Sequence, residues 1–194
     1  MMFQSITRRV VQLSVLGITI LGLTVLAPSQ GFASGKEKQV ALEKEGVELI
    51  GQLEEVARDV HYNAERLSSF RLSHVSNWTH YHHLNEIKVL INEGLKPALQ
   101  RLTEIQEQLP EWHQDAIDRM LNSAKALAAD TNSAIITKNE AGPMPSILHA
   151  EYNELIVKIN GHAETLVKTS DAAGEYASAH EKAVEAGLNV SKHP

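Results

Sequence analysis

The sequence predicts an all-α fold, an up-down-up-down antiparallel four-helix bundle preceded by a signal-peptide helix. Apolar side chains recur every three or four positions in four long runs, which is the spacing of one buried helix face. Hydrophobic residues make up 43% of the 194 residues and aromatic residues only 5%, a mainly aliphatic mixture that suits helix packing better than sheets. Proline and glycine are few beyond residue 35. The connections are therefore short, and short connections make consecutive helices antiparallel neighbours.

The N-terminal segment has the pattern of a secretory leader. Two arginines supply a positive start, an apolar stretch fills residues 10–27, and small residues precede a predicted cleavage after Ala33. Two alternatives stay open. In the first, the segment is kept as an uncleaved membrane anchor, because its apolar stretch is close to the ~20 residues that span a bilayer. In the second, the arginine pair directs twin-arginine export. We expect a leader at 1–33, a bundle at 34–190, and a periplasmic or secreted protein.

Four helices are predicted in this bundle, at about residues 38–75, 78–109, 111–139 and 146–187. The first has no proline, and its apolar stripe is Leu49, Leu53, Val56, Val60, Ala64, Leu67 and Phe70. The second begins after Ser76 and Asn77, whose side chains can accept the free N–H groups of a helix start. Pro97 should kink the second helix. Its stripe continues in phase through Leu84, Ile87, Ile91, Leu95, Ala98, Leu102, Ile105 and Leu109.

Proline also marks the start of the third helix and the end of that helix. Pro110 fits the first turn, where its missing N–H costs nothing, and the stripe is Ala116, Met120, Ala124, Leu127, Thr131 and Ile135. Residues 139–145, with two prolines and a glycine, end this helix. Ser146 caps the fourth helix and Gly187 ends it; its stripe is Leu148, Tyr152, Leu155, Ile159, His162, Leu166, Ala173, Tyr176, His180 and Ala183.

Composition excludes several classes of chemistry. Cysteine is absent, so the protein has no disulfide, lipoprotein cysteine, Fe–S cluster, c-type haem or thiol nucleophile. Of 18 basic residues, Arg8 and Arg9 lie in the leader, which leaves 16 basic against 24 acidic residues and a net charge of −8. An acidic surface repels nucleic acid and anionic lipid, so we expect neither nucleic acid nor, after leader cleavage, a membrane as partner.

Histidines concentrate around the first predicted turn. The chain has 10 of them, and the antiparallel topology brings the start of the fourth helix to the same end. Neutral imidazoles there could bind Zn(II), Cu(II) or Ni(II), provided that three or four ligands converge. The alternative is a set of solvated histidines at a helix end. The candidate ligands are His74, His80, His82, His83, His149 and Glu151.

No pattern for catalysis is found in the chain. Glu-x-x-His pairs of di-iron bundles, His-Glu-x-x-His, phosphate loops and Gly-x-Ser-x-Gly are all missing. A haem site is disfavoured because the bundle's two methionines, Met120 and Met144, are both mid-chain. We therefore predict no catalytic residues and no cofactor. Trp78 and Trp112 are expected to plug the two ends of the core, as are four tyrosines: Tyr62, Tyr81, Tyr152 and Tyr176.

Two resemblances concern possible roles. The segment Leu102, Thr103, Glu104, Ile105, Gln106 is similar to the L-T-x-x-Q signature of periplasmic stress chaperones of the Spy/CpxP type, which carry two such motifs where this chain has one. In overall layout the chain resembles a group of exported bacterial four-helix-bundle proteins with no assigned activity. That likeness is carried by a leader, a cysteine-free bundle and Trp78, Leu84, Asn85, Ile87, Lys88, Ile91, Asn92, Trp112, Ala116, Ile117, Asp118 and Arg119. It implies export and a four-helix bundle.

The sequence thus predicts an exported, non-enzymatic helical bundle with a structural, interaction or envelope-stress role. Its expected partners are another envelope protein or a second copy of the chain. The alternative function is a His-rich periplasmic bundle that binds a divalent metal.

Overall fold

The computed structural model describes residues 35–71, 73–142 and 148–186, and all regular structure in these residues is helical. The α-helices are α1 (Gly35–Phe70), α2 (Asn77–Val89), α3 (Lys96–Ile105), α4 (Glu111–Ala141) and α5 (Ala150–Glu185). A π-helical segment, Leu90–Leu95, joins α2 to α3, and a short 3-10 helix, Gln106–Gln108, follows α3. The all-α prediction is confirmed. The predicted leader lies outside the described residues.

Four helical rods result, because α2, the π-helical segment and α3 follow one another without a break. We call this continuous run, residues 77–105, the α2–α3 rod. It begins as predicted: the Ser76 hydroxyl accepts a hydrogen bond from the Thr79 N–H at 3.3 Å. The last rod, α5, begins at Ala150 rather than at residue 146. Leu148, which was predicted to be in its buried stripe, therefore precedes the helix and is 70% exposed.

Each rod packs against two others. α1 contacts the α2–α3 rod and α5, and α4 contacts α5 and, less extensively, the α2–α3 rod. Their apolar faces meet in one core cluster. The stripe predicted for the second helix is confirmed at every position, since all of its members are buried: Leu84, Ile87, Ile91, Leu95, Ala98, Leu102, Ile105 and Leu109.

The stripe of α1 is centred one position away from the prediction at two places. Ile50 and Ala57 are fully buried, whereas Leu49 and Val56, the predicted members, are half-buried and pack against the edge of the core. The cause is the helical period: an apolar stripe wider than 100° contains adjacent positions, and only the packing partners decide which one is central. α1 ends at Phe70 rather than at residue 75.

Pro97 does not end the α2–α3 rod, which continues through the proline with a π-helical segment immediately ahead of it. Proline has no N–H, so the Glu93 carbonyl, four residues earlier, has no α-helical donor there. The Lys96 N–H, directly before the proline, donates to the Ile91 carbonyl five residues earlier, which is the π-helical spacing. Where the sequence predicts a kink, the structure has a π-helical turn.

Candidate functional site

One predicted metal ligand, His80, points into the core. Its side chain has no exposed surface, and its Nδ1 lies 3.0 Å from the Tyr152 hydroxyl, with the two rings edge to face. Lys138 is also fully buried, and its Nζ lies 5.7 Å from the centroid of the Tyr152 ring. α2, α4 and α5 therefore each contribute one side chain to a buried polar cluster. We call this the His80 cluster (His80, Lys138, Tyr152).

Burial sets the protonation states of the His80 cluster. Burial, followed by the charges of Lys138 and His83, lowers the pKa of His80 to about 4, so its imidazole is neutral at pH 7. Burial, with a smaller effect of Tyr81, raises the pKa of Tyr152, and burial lowers the pKa of Lys138. A metal cation at His80 would be repelled by the nearby Lys138 ammonium. This arrangement favours a packing role for His80 over metal binding.

Two other predicted ligands, His82 and His83, lie side by side with ring centroids 5.2 Å apart. His82 is exposed, and its ring stacks on the Trp78 indole. His83 is half-buried, and its Nδ1 lies 2.8 Å from the Asn63 side-chain oxygen. Across the part of the chain that the structure describes, no three His, Asp or Glu side chains form a group that could hold a metal ion. The remaining candidates therefore do not join this pair in such a group: His74, His149 and Glu151.

The structure contradicts the prediction that Trp78 and Tyr62 plug the core. Trp78 is 73% exposed and Tyr62 is 58% exposed. Each lies two positions from a buried residue of its helix, His80 in α2 and Val60 in α1. Two positions correspond to about 200° of helical rotation, so both rings face away from the core.

We expect zinc to bind only loosely at the His-rich end. His82 and His83 supply two imidazoles, and one nitrogen of His83 is already hydrogen-bonded, whereas a tight zinc site needs three or four convergent ligands. Calorimetric titration at pH 7.5 should give a dissociation constant weaker than ~10 µM. Tighter saturable binding that disappears in a His82→Ala/His83→Ala variant would show instead that a metal site forms there.

A second aromatic cluster joins the start of α4 to the end of α5. The Trp112 and His113 rings lie 3.5 Å apart between centroids, and Tyr176 packs on Trp112 at 4.6 Å. His113 is 2% exposed, and neither ring nitrogen has a hydrogen-bond partner within the described residues. Burial, and to a lesser extent the charge of His180, lowers the pKa of His113 to about 4. The sequence contained a signal for this burial that the predicted stripe omitted: His113 lies four positions before buried Ile117.

An open groove runs between the α2–α3 rod and α4. Its main part has a volume of about 650 Å³, and a smaller cavity of about 160 Å³ continues it and shares Ile91, Asn92 and Ala128 with it. We call the two together the seam groove. The main part is lined by Ile91, Asn92, Leu95, Lys96, Leu99, Gln100, Thr103, Glu104, Leu121, Ala124, Lys125 and Ala128.

Two local features keep this seam open. α4 presents the small side chains of Ala124 and Ala128 to the groove, four positions apart and therefore on one helix face. On its other side the α2–α3 rod lies close to α1, since a Cβ atom on Gly94 would be 2.7 Å from Val56 Cγ1. The rod therefore packs against α1 and leaves space beside α4. The two alanines were the signal for this groove in the sequence. The predicted stripe did not reveal it, because a stripe marks which positions are apolar and not how large their side chains are.

The rim of the seam groove is mainly basic. Lys96 and Lys125 line its main part, and Lys88 lines its continuation. None of these three has a carboxylate within 4.0 Å among the described residues. Glu104 also lines the main part, and its partner Arg101, 3.0 Å away, is shared with Glu45, so acidic charge remains at that end of the rim. Away from that end, an anionic group at this rim would meet unpaired ammonium groups.

Comparison of the chain with protein-family models, with curated proteins and with solved structures finds no match. Within residues 35–71, 73–142 and 148–186, no helix combines the length and apolar character needed to cross a bilayer. The described residues define an all-α protein of four helical rods with an apolar groove between the α2–α3 rod and α4.

Proposed function

We propose that the protein is an exported, non-enzymatic helical bundle that acts by binding an elongated apolar ligand in the seam groove. The observation that carries this proposal is the groove itself. Its main volume of about 650 Å³ lies in the range of ~300–1,000 Å³ found for small-molecule sites. A mainly apolar groove of this size suits an apolar occupant, which would remove the lining side chains from water.

The groups around the groove support binding rather than chemistry. The apolar lining includes Leu121 and Ala128, which are half-buried and can only pack against a ligand. Polar groups at the edge are amides, a hydroxyl, ammonium groups and the carboxylate of Glu104, which is paired with Arg101. Such groups orient a ligand through hydrogen bonds and charge. An interaction role in the envelope, with or without a link to stress, is consistent with such a site.

The proposed topology is up-down-up-down, with antiparallel neighbouring rods. Three contacts between rod ends support it. Arg101, near the end of the α2–α3 rod, lies 2.6 Å from Glu45 near the start of α1. Tyr81, near the start of that rod, donates a hydrogen bond to Asn139 near the end of α4. The Trp112–Tyr176 contact pairs the start of α4 with the end of α5. Export is proposed from the leader pattern of residues 1–33.

A neutral fluorescent dye, 1-N-phenylnaphthylamine, tests groove binding. We expect saturable binding, because the seam groove offers apolar walls to the neutral dye. Ala128→Leu should weaken dye binding about tenfold, since overpacking of a filled site costs on the order of 1–3 kcal/mol. Ala129→Leu is the matched control: the next residue on α4 is exposed and does not line the groove, so dye binding should be unchanged.

Circular dichroism must show the same helicity for both variants and for wild type. The free energies of unfolding must agree within ~1 kcal/mol, so that a loss of dye binding comes from the groove and not from unfolding. Absence of saturable dye binding to the wild-type protein, or equal binding by both leucine variants, would refute the groove as the functional site. The alternative function, metal binding by the His-rich end, is tested separately by the zinc titration.

A further inference from the structure

We propose that the end of α5, residues 174–185, is an acid-released strap, which lies on the start of α4 at neutral pH and separates from it when histidines on both rods are protonated. We call this segment the α5 strap. The side chains that join the two rods here are Trp112, His113, Tyr176 and His180. The proposal is independent of the seam groove, which lies between the α2–α3 rod and α4.

His113 has no room for a proton in the closed bundle. It is 2% exposed, and neither ring nitrogen has a hydrogen-bond partner among the described residues. A protonated imidazole has two N–H donors and a charge, and burial of both without a partner is costly. The ring also packs against α1, since a Cβ atom on Gly46 would lie 3.6 Å from His113 Cδ2. A proton on His113 is therefore stable only after this end of the bundle opens.

The charges around His113 add to this cost. Burial, followed by the charge of His180 in α5, lowers the pKa of His113 to about 4. His113 is the third residue of α4, where the positive end of the helix dipole also opposes a cation. The titratable groups on the segments around it are Glu43 and Glu45 in α1, Glu107 in the 3-10 helix, Glu111 and Asp115 in α4, and Tyr176 and His180 in α5. Of these, His180 is the group whose charge acts on His113.

The α5 strap is the segment that is released, because α1 is tied to its neighbour at this end. The Gln39 side chain donates a hydrogen bond to the Gln108 carbonyl at 2.8 Å, and Glu45 lies 2.6 Å from Arg101. Arg101 lowers the pKa of Glu45, so this ion pair persists to lower pH than an ordinary carboxylate would allow.

The α5 strap, in contrast, buries little beyond Ala177. Positions 178–183 are exposed or half-buried, which is typical of a segment that opens locally at low cost. When His113 and His180 both carry a proton, the two positive charges repel each other across the contact between the rods. Acid thus acts on the weakest-held part of this end.

The direction and size of the effect follow from the two protonation states. The closed form binds a proton on His113 with a pKa of about 4, whereas the open form has the ordinary value of 6.5. Acid therefore favours the open form, and release is suppressed above pH 6.5. Between pH 6.5 and pH 4 the equilibrium constant for release should rise about a hundredfold.

Acrylamide quenching of Trp112 fluorescence tests this release. The chain has two tryptophans, so Trp78→Phe in the full chain leaves Trp112 as the reporter. Trp112 is half-buried at neutral pH under Tyr176. From pH 6.5 to pH 4 its quenching constant should rise about threefold, while helicity by circular dichroism falls by about a tenth at most, the share of the strap.

Two histidine variants in the same background assign the effect. His113→Leu should keep Trp112 shielded at pH 4, and His180→Gln should reduce the rise in quenching because it removes the repelling charge. His180→Gln keeps the test decisive if His113→Leu folds poorly, since His180 is only half-buried. His82→Gln, an exposed histidine at the start of α2, is the matched control and should behave like its parent.

A Trp112 that stays shielded at pH 4 would overturn the proposal. Exposure of Trp112 only together with loss of helicity throughout the chain would also overturn it, because the bundle would then unfold as a whole. The same conclusion would follow if either His113→Leu or His180→Gln showed the full rise in quenching of the parent.

Discussion

Acidification from pH 6.5 to pH 4 should lower the free energy of unfolding by about 3 kcal/mol through His113 alone. Its pKa is about 4 in the folded protein against an ordinary value of 6.5, and each pKa unit corresponds to about 1.36 kcal/mol. Between these two values the unfolded chain binds more protons than the folded one. The contribution of neutral His113 to the free energy of unfolding is therefore complete above pH 6.5 and is lost as the pH falls toward 4. His80 is fully buried with a pKa of about 4 and adds loss in the same direction and window.

Urea unfolding at intervals between pH 4 and pH 8 measures this loss. His113→Leu should flatten the profile by about 3 kcal/mol, because it removes the group that must be charged on acid unfolding. It breaks no hydrogen bond to a described residue, since neither His113 nitrogen has such a partner. His82→Gln, at an exposed position, should leave the wild-type profile in place. A His113→Leu profile as steep as that of wild type would show that the acid sensitivity has another origin.

Gly94→Ala should destabilise the protein by about 1–3 kcal/mol, the usual cost of an extra methyl group in a tightly packed contact. An added Cβ at this position would lie 2.7 Å from Val56 Cγ1 and 3.0 Å from Val56 Cγ2. Val56 cannot rotate away easily, because a β-branched side chain has one strongly preferred rotamer in a helix. The methyl group would therefore push the π-helical segment away from α1, toward the seam groove.

Whether Gly94→Ala destabilises or stabilises the protein shows whether close packing or helix propensity dominates at this position. Gly161→Ala in α5 is the matched control, because a Cβ there has no neighbour within 4 Å and glycine-to-alanine exchange in a helix stabilises by about 0.5–1 kcal/mol. Thermal or urea unfolding should thus shift in opposite directions for the two variants. A stabilised Gly94→Ala protein would mean that α1 and the α2–α3 rod are further apart than the structure places them.

Periodicity predicted the helices well because burial along a helix follows its 3.6-residue repeat. All eight stripe positions of the second helix are buried, and the Ser76 cap forms as expected. The prediction was wrong for Leu148, which precedes α5, and for Trp78 and Tyr62, whose expected place in the core rested on their aromatic rings and not on the apolar stripe of their helices. It also grouped His80 with the exposed His82, although the two are separated by about 200° on α2.

The sequence by itself determined four amphipathic helical runs, the absence of cysteine chemistry and the basic-to-acidic balance, because each is a property of single residues or of local spacing. Only the tertiary structure decided that His80 and Lys138 meet Tyr152 in the core, that His113 is buried without a hydrogen-bond partner in the described residues, and that the α2–α3 rod leaves a groove beside α4. The physical reason is that these features depend on how closely two rods approach. That distance is set by pairs of residues far apart in sequence, such as Gly94 against Val56, and no local pattern encodes it.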